Sequence, residues 1–599
     1  MIYSVFYLLS IIGACYFLSL SFDHENPIRA LTLSLIISFS VYAAFCGLLS
    51  FFSIGPSLVF ATTSNLIVAV ISYRKLSSPT LRLVIRCNPI SKNIDKLDKL
   101  KYTFAALAII AVALFCGFKQ FGPSFDAAFL TSDPSIHYYN ALKILNGTPV
   151  SGQYLAASII GTWFQALAPL VDQVDLFHVY VVSEIVFLAL SGLSMLEIIS
   201  LIAPQLNPII AGGVSVFYLL GYPLNNMEFG FCYLGIGVTV IISISQLCIR
   251  FVEFQTLFND RFSTICLSVC LFGLITSYSL FVPVVYLSVF IWSARDYYSY
   301  SKDWKITLFR ELELFSFPVL LGLLLVYQSI FGSAANSPTV VSAIATEGYI
   351  YRDLYSNFIL IGPFSLYGLF VLRKQRYWAV TLTAALFIVF SMTLFLLGIT
   401  GHVSSYYFYK LHFVIWALFY IGLAAAINDL IKGHLSLVMS WSIIFILLFV
   451  ICLTGLDSKL TAARPLFNQV PVSSSYFKIY EFNNSNFGSK PIMDDEKATM
   501  LENVTKTIGG SSLKLLLDDA DAYWCDDMLT LNQSGYWWTL TKESCIAEYS
   551  SSDYVLAKTG KGVLTTSDGV DRESVLSELT EHADVVTDLG NDYILLKMH

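Results

Sequence analysis

Charged residues are scarce in this chain. Asp, Glu, Lys and Arg make up 13% of its 599 residues and 56% are hydrophobic, whereas soluble domains carry about 25% charged residues. Apolar segments of roughly 16 to 25 residues, long enough for a helix to cross a bilayer, recur from Met1 to about Gly455. These features exclude an ordinary soluble enzyme and predict a polytopic α-helical membrane protein.

The few charges are unevenly divided between two parts of the chain. Residues 457–599 contain 22 acidic and 12 basic residues and alternate strand-like with helical stretches. We therefore predict a soluble C-terminal α/β or α+β domain at 457–599, following a membrane domain at 1–456. Its excess of negative charge argues against a nucleic-acid partner.

The apolar segments predict about fourteen transmembrane helices. Their approximate bounds are 1–21, 30–53, 57–73, 103–120, 177–203, 207–222, 230–249, 262–276, 279–294, 312–331, 356–372, 377–398, 411–427 and 436–455. The first segment lacks the basic start and small-residue cleavage site of a signal peptide, so we expect it to remain as a span.

Basic residues fall on one side of this topology. The loop from Arg74 to Lys101 holds eight Lys or Arg residues, and the positive-inside rule places it in the cytoplasm. The opposite, outer loops lie at about 121–176, 223–229, 332–355 and 399–410 and contain only three basic residues, Lys143, Arg352 and Lys410. Fourteen spans then put the C-terminal domain on the outer side.

Cysteine use agrees with an exported C-terminal domain. Only Cys525 and Cys545 of the eleven cysteines fall in it, and exported compartments are oxidising. We predict a disulfide between these two residues, with two reduced, buried thiols as the alternative.

The first large outer loop, 121–176, carries an isolated acid in the segment SDPSIHYYNALK, at 132–143. Pro134 predicts the first turn of a helix, with Ser132 or Asp133 as its N-cap. An apolar run at 151–171 predicts a second helix lying on or dipping into the outer membrane surface, with Trp163 at the interface. In the simplest interpretation Asp133 only caps its helix and the tyrosines only anchor it.

Three shorter outer loops also carry polar groups suited to sugars or phosphates. They are NNME, EGYIYRD and GHVSSYYFYKLH, at 225–228, 347–353 and 401–412. The candidate binding residues are His137, Tyr138, Tyr139, Glu228, Arg352, Tyr406, Tyr407 and Lys410. A basic group at the membrane surface can pair with a phosphate, although Arg352 and Lys410 could instead extend toward lipid headgroups.

The Asp-Pro pair in the first large outer loop, YYFYK at 406–410 and a soluble domain after the last span resemble the GT-C superfamily of integral-membrane glycosyltransferases. This resemblance implies transfer of a sugar from a polyprenyl-phosphate donor to a cell-envelope glycan or glycolipid acceptor, as in lipopolysaccharide and O-antigen assembly. In many members the acidic loop follows the first span, whereas here three apolar spans precede it.

The resemblance also implies roles for individual residues. Asp133 would be the general base of an inverting transfer, and Lys410 and Arg352 would stabilise the leaving lipid phosphate. Four tyrosines would stack on sugar or prenyl chain: Tyr138, Tyr139, Tyr406 and Tyr407. We expect no cofactor and no metal, with a divalent metal as an open alternative. The expected location is a bacterial inner membrane, with membrane lipids as neighbours and the C-terminal domain periplasmic.

Other functions stay open at this point. A flippase or transporter of lipid-linked saccharides would have a similar composition, although transporters place ionisable residues inside their spans and the predicted spans here are nearly free of charge. A polysaccharide polymerase and a receptor with a working C-terminal domain are further alternatives. Glycosylation sequons at Asn146, Asn483, Asn503 and Asn532 keep a eukaryotic lumenal location open.

Overall fold

The computed structural model describes most of both domains. The described residues are 2–77, 96–150, 154–172, 175–254, 261–331, 348, 350–351, 355–375, 377–400, 402–433, 478–529, 531, 536–560 and 562–599. The span predicted at 436–455 and Arg352 lie outside them.

The described part of the membrane domain is helical. Its helices are α1 (Ile2–Phe22), α2 (Leu31–Ser50), α3 (Leu58–Ser77), α4 (Lys96–Phe121), α5 (Asp133–Leu145), α6 (Tyr154–Leu167), α7 (Leu176–Ile202), α8 (Pro208–Leu220), α9 (Tyr222–Phe229), α10 (Cys232–Phe254), α11 (Arg261–Ser277), α12 (Val282–Ser301), α13 (Trp304–Phe331), α14 (Tyr355–Lys374), α15 (Trp378–Ile399) and α16 (Ser405–Gly433).

Nine helical segments among the described residues are long and apolar enough to cross a membrane. They are Ile2–Phe22, Pro27–Ser50, Lys96–Phe121, Leu176–Ile202, Pro208–Phe229, Cys232–Phe251, Ser279–Ser301, Trp378–Ile399 and Ser405–Ile431. The chain is thus a multi-pass helical membrane protein. The other predicted spans within the described residues fall on α3, α11, α13 and α14, so a total of fourteen spans is not confirmed.

The central helices α7, α10 and α16 are buried on nearly all sides, whereas α1 and α15 expose many apolar side chains. A helix that is apolar all round belongs in a core or against lipid. The described helices therefore form a packed centre surrounded by lipid-facing helices.

The second helix of the outer loop, α6, differs from the prediction. Residues 155–162 are buried rather than lying on a surface. Gly161 makes this possible, because a Cβ there would lie only 2.5 Å from the Cβ of Ile144 on α5. Trp163 is half-buried and stacks on Phe187, with ring centroids 6.0 Å apart.

The C-terminal domain contains a four-stranded mixed sheet, as its predicted α/β or α+β class requires. The strands are β1 (Leu513–Leu516), β2 (Tyr554–Lys558), β3 (Ala583–Gly590) and β4 (Tyr593–Met598), in the order β1-β2-β4-β3. β1 and β2 are parallel, and the other two pairs are antiparallel. The helices are α17 (Lys478–Asn486), α18 (Asp495–Ile508), α19 (Asp519–Leu529), α20 (Lys542–Ser550) and α21 (Arg572–Glu581).

The predicted disulfide between Cys525 and Cys545 is wrong. Both are free, buried thiols. Successive side chains of a strand point to opposite faces of a sheet. Cys525 clusters with Leu515, Leu556 and Leu595, whereas Cys545 clusters with their neighbours Leu516, Val555 and Leu596. The sheet therefore separates the two thiols.

The chain enters the C-terminal domain through α17, which packs on the membrane domain. Asn483 of α17 donates from its side-chain amide to the carbonyls of Leu220 and Gly221, at 2.9 and 2.8 Å. The same side chain accepts a hydrogen bond from Asn225 on α9, at 3.1 Å. These contacts join the two domains next to the outer loop.

Candidate functional site

Asp133 is the first residue of α5, where Pro134 was expected to start a helix. Ser132 occupies the N-cap position but makes no side-chain capping bond. The backbone just before it is fixed on the end of α9, since the Leu130 amide donates to the Glu228 carbonyl at 2.9 Å and the Thr131 hydroxyl to the Phe229 carbonyl at 2.8 Å. Asp133 therefore starts a helix whose entry is held by α9.

Gly230 allows α5 and α9 to come close together. It ends α9 in the left-handed conformation, with φ of 70°, which favours glycine. A Cβ at this position would lie 2.1 Å from Cγ of Pro134. Any larger residue at position 230 would push the start of α5, and Asp133 with it, away from α9.

Lys410 lies in a cage of aromatic rings. Its side chain is buried, and its ammonium donates to the Tyr233 hydroxyl at 2.6 Å. The ammonium is 4.1 to 5.3 Å from the ring centroids of Phe231, Tyr233, Tyr278 and Tyr406, within the range of cation–π attraction. Extension of Lys410 toward lipid headgroups does not fit this position.

Two tyrosine hydroxyls lie between Lys410 and Asp133. The lysine donates to Tyr233, and the Tyr406 hydroxyl interacts with both Tyr233 and the Asp133 carboxylate. The charge of Lys410 also acts on Asp133 through space. Lysine, two tyrosines and carboxylate thus form one electrostatic unit.

Asp133 is accessible to solvent although protein atoms surround much of its side chain. The resulting loss of hydration raises the pKa of Asp133 above its ordinary value, while Lys410 and the hydrogen bond from Tyr406 act in the opposite direction. A carboxylate that is poorly hydrated and still reachable from solvent is a stronger base than a fully hydrated one.

His137 lies one turn beyond Asp133 and belongs to the wall of the site. Its ring is buried and its centroid is 4.6 Å from that of Tyr233. Burial first, and then the positive charge of Lys410, lower the pKa of His137 to about 3. His137 is therefore neutral at physiological pH and adds no charge to the site.

The opposite face of α5 is covered by α19 of the C-terminal domain. Trp524 of α19 stacks on Tyr138 with centroids 5.6 Å apart and lies parallel to Phe129 at 6.2 Å. Tyr138 is 1% exposed, so the substrate contact predicted for it does not fit its burial. Tyr139 lies under the Lys143 ammonium, 4.1 Å from its ring centroid.

The same helix of the C-terminal domain brings acidic groups near Asp133. Asp527 accepts a hydrogen bond from Ser135 of α5. The pKa of Asp527 is raised to about 7, and burial is the largest cause. The pKa values of Asp519 and Tyr523 are also raised. Burial is the largest cause for both, and the negative charge of Asp133 contributes. This arrangement was not predictable from the sequence, because docking of two helices more than 350 residues apart leaves no local pattern.

Two further predicted binding residues lie elsewhere or at the edge of the site. Glu228 is fully buried on α9, and neither of its carboxylate oxygens has a hydrogen-bond partner among the described residues. Tyr407 is half-buried, with its ring centroid 5.4 Å from that of Tyr406. Gly348, from the loop that contains Arg352, lies directly against the Tyr406 ring.

The structure thus brings Asp133, His137, Tyr406 and Lys410 together and adds Tyr233, which sequence reasoning missed. Tyr233 sits in an apolar span without a neighbouring charge in sequence, so no local pattern marks it. No family model matches the chain, and no curated protein matches it significantly. The fold and site define a multi-pass helical membrane protein with a polar site covered by its C-terminal domain.

Proposed function

We propose that this protein is a membrane glycosyltransferase that moves a sugar from a polyprenyl-phosphate donor to a glycan or glycolipid acceptor. The observation that supports it most is that one site contains both a solvent-accessible carboxylate, Asp133, and a buried cation, Lys410. Lys410 makes no direct ion pair with a described residue. Sugar transfer from a lipid phosphate needs a base for the acceptor and a cation for the leaving group.

In the proposed reaction Asp133 accepts the proton of an acceptor hydroxyl. The hydroxyl oxygen forms a bond to the anomeric carbon while the bond from that carbon to the lipid phosphate oxygen breaks. The phosphate leaves with the electron pair, and the configuration at the anomeric carbon inverts. The raised pKa of Asp133 suits this role because it increases proton affinity in the carboxylate form.

Lys410 would stabilise the negative charge that develops on the leaving phosphate. One of its three N–H groups is used by Tyr233, which leaves two for phosphate oxygens. A preformed cation in a water-poor site stabilises such a charge far more than one in bulk water. Tyr406 and Tyr407 supply aromatic faces beside it, suited to a sugar ring or a prenyl chain.

The location and partners belong to the same proposal. The C-terminal domain and α5 are in contact through Trp524 and Tyr138 and so share one side of the membrane. With the basic loops in the cytoplasm, this side is the periplasm of a bacterial inner membrane. Donor and acceptor would both reach Asp133 from there, and Arg352 would help bind the donor phosphate.

The decisive test is sugar transfer by Asp133→Asn in membranes that contain donor and acceptor. Loss of a general base costs about 100- to 10,000-fold in rate, so we expect transfer to fall at least 100-fold. Asp172→Asn is the matched control, because Asp172 is an exposed acid of the same outer loop, and it should retain wild-type transfer. Wild-type transfer by a well-folded Asp133→Asn protein would contradict the proposal.

A transporter of lipid-linked saccharides is the second candidate function. Although charges are few in the spans, Glu184, Glu197 and Glu228 are all buried there. Tyr180 donates to Glu184, and the amides of α2 donate to Glu197, whereas Glu228 has no such partner among described residues. A transporter predicts that Glu228→Gln blocks saccharide movement across vesicles, while the transferase predicts that Asp133→Asn loses transfer and Glu228→Gln keeps it.

A further inference from the structure

A second cluster of charged side chains lies where the C-terminal domain meets the outer loop. An isolated β-bridge joins Ala127 of the loop to Met493, with N–H to carbonyl distances of 2.9 Å from Ala127 to Met493 and 2.8 Å from Ile492 to Ala127. The bridge is antiparallel, so it brings Asp126 beside Asp494. Like charges opposed across a strand pair destabilise it.

More negative charge surrounds this bridge. Asp495 begins α18, immediately after the bridge, and Asp175 precedes the first turn of α7 without capping it. Burial first, and then the charges of Asp494 and Asp495, raise the pKa of Asp126. The nearby Lys497 is already bound to Asp521 at 2.6 Å. Four carboxylates, those of Asp126, Asp175, Asp494 and Asp495, therefore lie at the bridge or close to it.

His178, in the first turn of α7, lies between these carboxylates. Its Nε2 is 2.7 Å from Oδ1 of Asp495, and its Nδ1 is 3.1 Å from the Phe125 carbonyl oxygen. The ligand atoms of Asp175, His178 and Asp495 all lie within 4.8 Å of one another. Asp175 and His178 lie at the N-terminal end of α7 in the membrane domain, and Asp495 comes from the C-terminal domain.

The hydrogen-bond pattern of His178 favours a cation at Nε2. Both ring nitrogens face oxygen acceptors, whereas a neutral imidazole carries only one N–H. If Nδ1 donates to the Phe125 carbonyl, the lone pair of Nε2 faces a carboxylate. Metal-binding histidines characteristically donate their second ring nitrogen to a backbone carbonyl or a carboxylate in this way.

We propose that Asp175, His178 and Asp495 form a binding site for a divalent transition metal of the zinc class, which fastens the C-terminal domain to the outer loop. One imidazole nitrogen and two carboxylate oxygens are a ligand set that zinc accepts, and water would complete the tetrahedron. The ion would neutralise the carboxylates that the β-bridge holds together. This inference concerns assembly of the two domains and does not depend on the sugar-transfer reaction.

The test uses the full-length, untagged protein in detergent, stripped with a chelator and then incubated with zinc. We expect about one zinc per chain by elemental analysis and a cobalt derivative with the visible absorption of a four-coordinate site. His178→Ala and Asp175→Asn should lose this ion. Their controls are His402→Ala and Asp172→Asn, which alter exposed residues outside the cluster and should keep it.

A second readout is proteolysis of the junction between the domains. Chelation should increase cleavage near residues 487–495 in the wild-type protein and change nothing in Asp175→Asn, which preserves side-chain size and so the fold. Zinc binding that is absent, or equal in all four variants, would overturn the site. Protection that follows pH and ignores both zinc and chelator would also overturn it, since a proton on His178 would then be the cation.

Discussion

Two buried lysines of this protein, one in each domain, have opposite surroundings. Lys410 is 2% exposed and Lys497 is 9% exposed, so both ammonium groups have lost most of their water. The Lys497 ammonium donates hydrogen bonds to the Asp521 carboxylate at 2.6 Å and to the Ile492 carbonyl at 2.8 Å, which replace those lost with water. Lys410 has aromatic rings, one tyrosine hydroxyl and the more distant Asp133.

The difference distinguishes a cation with a structural role, Lys497, from one whose surroundings suit the proposed transfer reaction, Lys410. Although burial alone would lower it, the pKa of Lys497 lies above its usual range because of nearby groups that include Cys525 and Asp521. Asp521 also binds Lys558 at 2.9 Å. The charge of Lys497 is thus neutralised within the C-terminal domain. Charge at Lys410 is only partly compensated, which leaves the ammonium able to attract an anionic ligand.

Removing Lys497 should have the largest effect on stability. Loss of one partner from a buried ion pair costs about 3 to 5 kcal/mol, and Lys497→Met leaves Asp521 with Lys558 as its remaining cation. We expect this loss in chemical unfolding of the C-terminal domain, followed by tryptophan fluorescence. Lys506→Met, which removes an exposed pair with Glu502, should change stability by less than about 1 kcal/mol. Equal effects of the two variants would contradict the structural role.

Removing Lys410 should affect sugar transfer more than stability. Lys410→Met keeps the length of the side chain within its aromatic cage and removes the charge. Loss of one preorganised electrostatic contact costs about 100- to 1,000-fold in rate, so we expect transfer to fall about 100-fold and the requirement for lipid donor to rise more than that for acceptor. The measurement is initial transfer rate against donor and acceptor concentration. Unchanged donor dependence would show that Lys410 does not bind the phosphate.

The sequence predicted the parts of this arrangement that leave local patterns. Pro134 marked the start of α5, and the scarcity of outer basic residues marked Lys410. Contacts between segments that are far apart in sequence could not be predicted, and the hydrogen bond from Lys410 to Tyr233 is one of them. The disulfide between Cys525 and Cys545 failed for the same reason, since spacing along the chain does not reveal which face of a sheet each thiol occupies.

The burial of α6 and of Tyr138 could not be read from the sequence either. Both segments have the composition of a membrane interface, with small residues, tyrosines and one tryptophan. Their burial depends on surfaces supplied from far away in the chain, such as Trp524 of α19. Composition reports what a segment tolerates, whereas packing partners decide where it lies.

The smallest effect is expected from the tyrosine that connects the two ends of the site. Tyr406→Phe removes the hydroxyl that donates to Asp133 while keeping the ring beside Lys410. That hydrogen bond lowers the pKa of Asp133, so its loss makes the carboxylate protonate at higher pH. A general base works only when deprotonated, and the acidic limb of the rate profile should therefore move to higher pH.

We expect about a tenfold loss of transfer on the acidic limb, consistent with roughly 1.4 kcal/mol for one hydrogen bond to a charged group, and a rate near the wild-type value where the carboxylate is fully deprotonated. The measurement is transfer rate from pH 4 to 8 for the wild type, Tyr406→Phe and Tyr407→Phe. Tyr407 is the next residue of α16 and its ring contacts that of Tyr406, but its effect on Asp133 is through space, so its variant should keep the wild-type profile. A shift in both variants, or in neither, would mean that Tyr406 does not tune Asp133 and that Lys410 acts on the carboxylate through space alone.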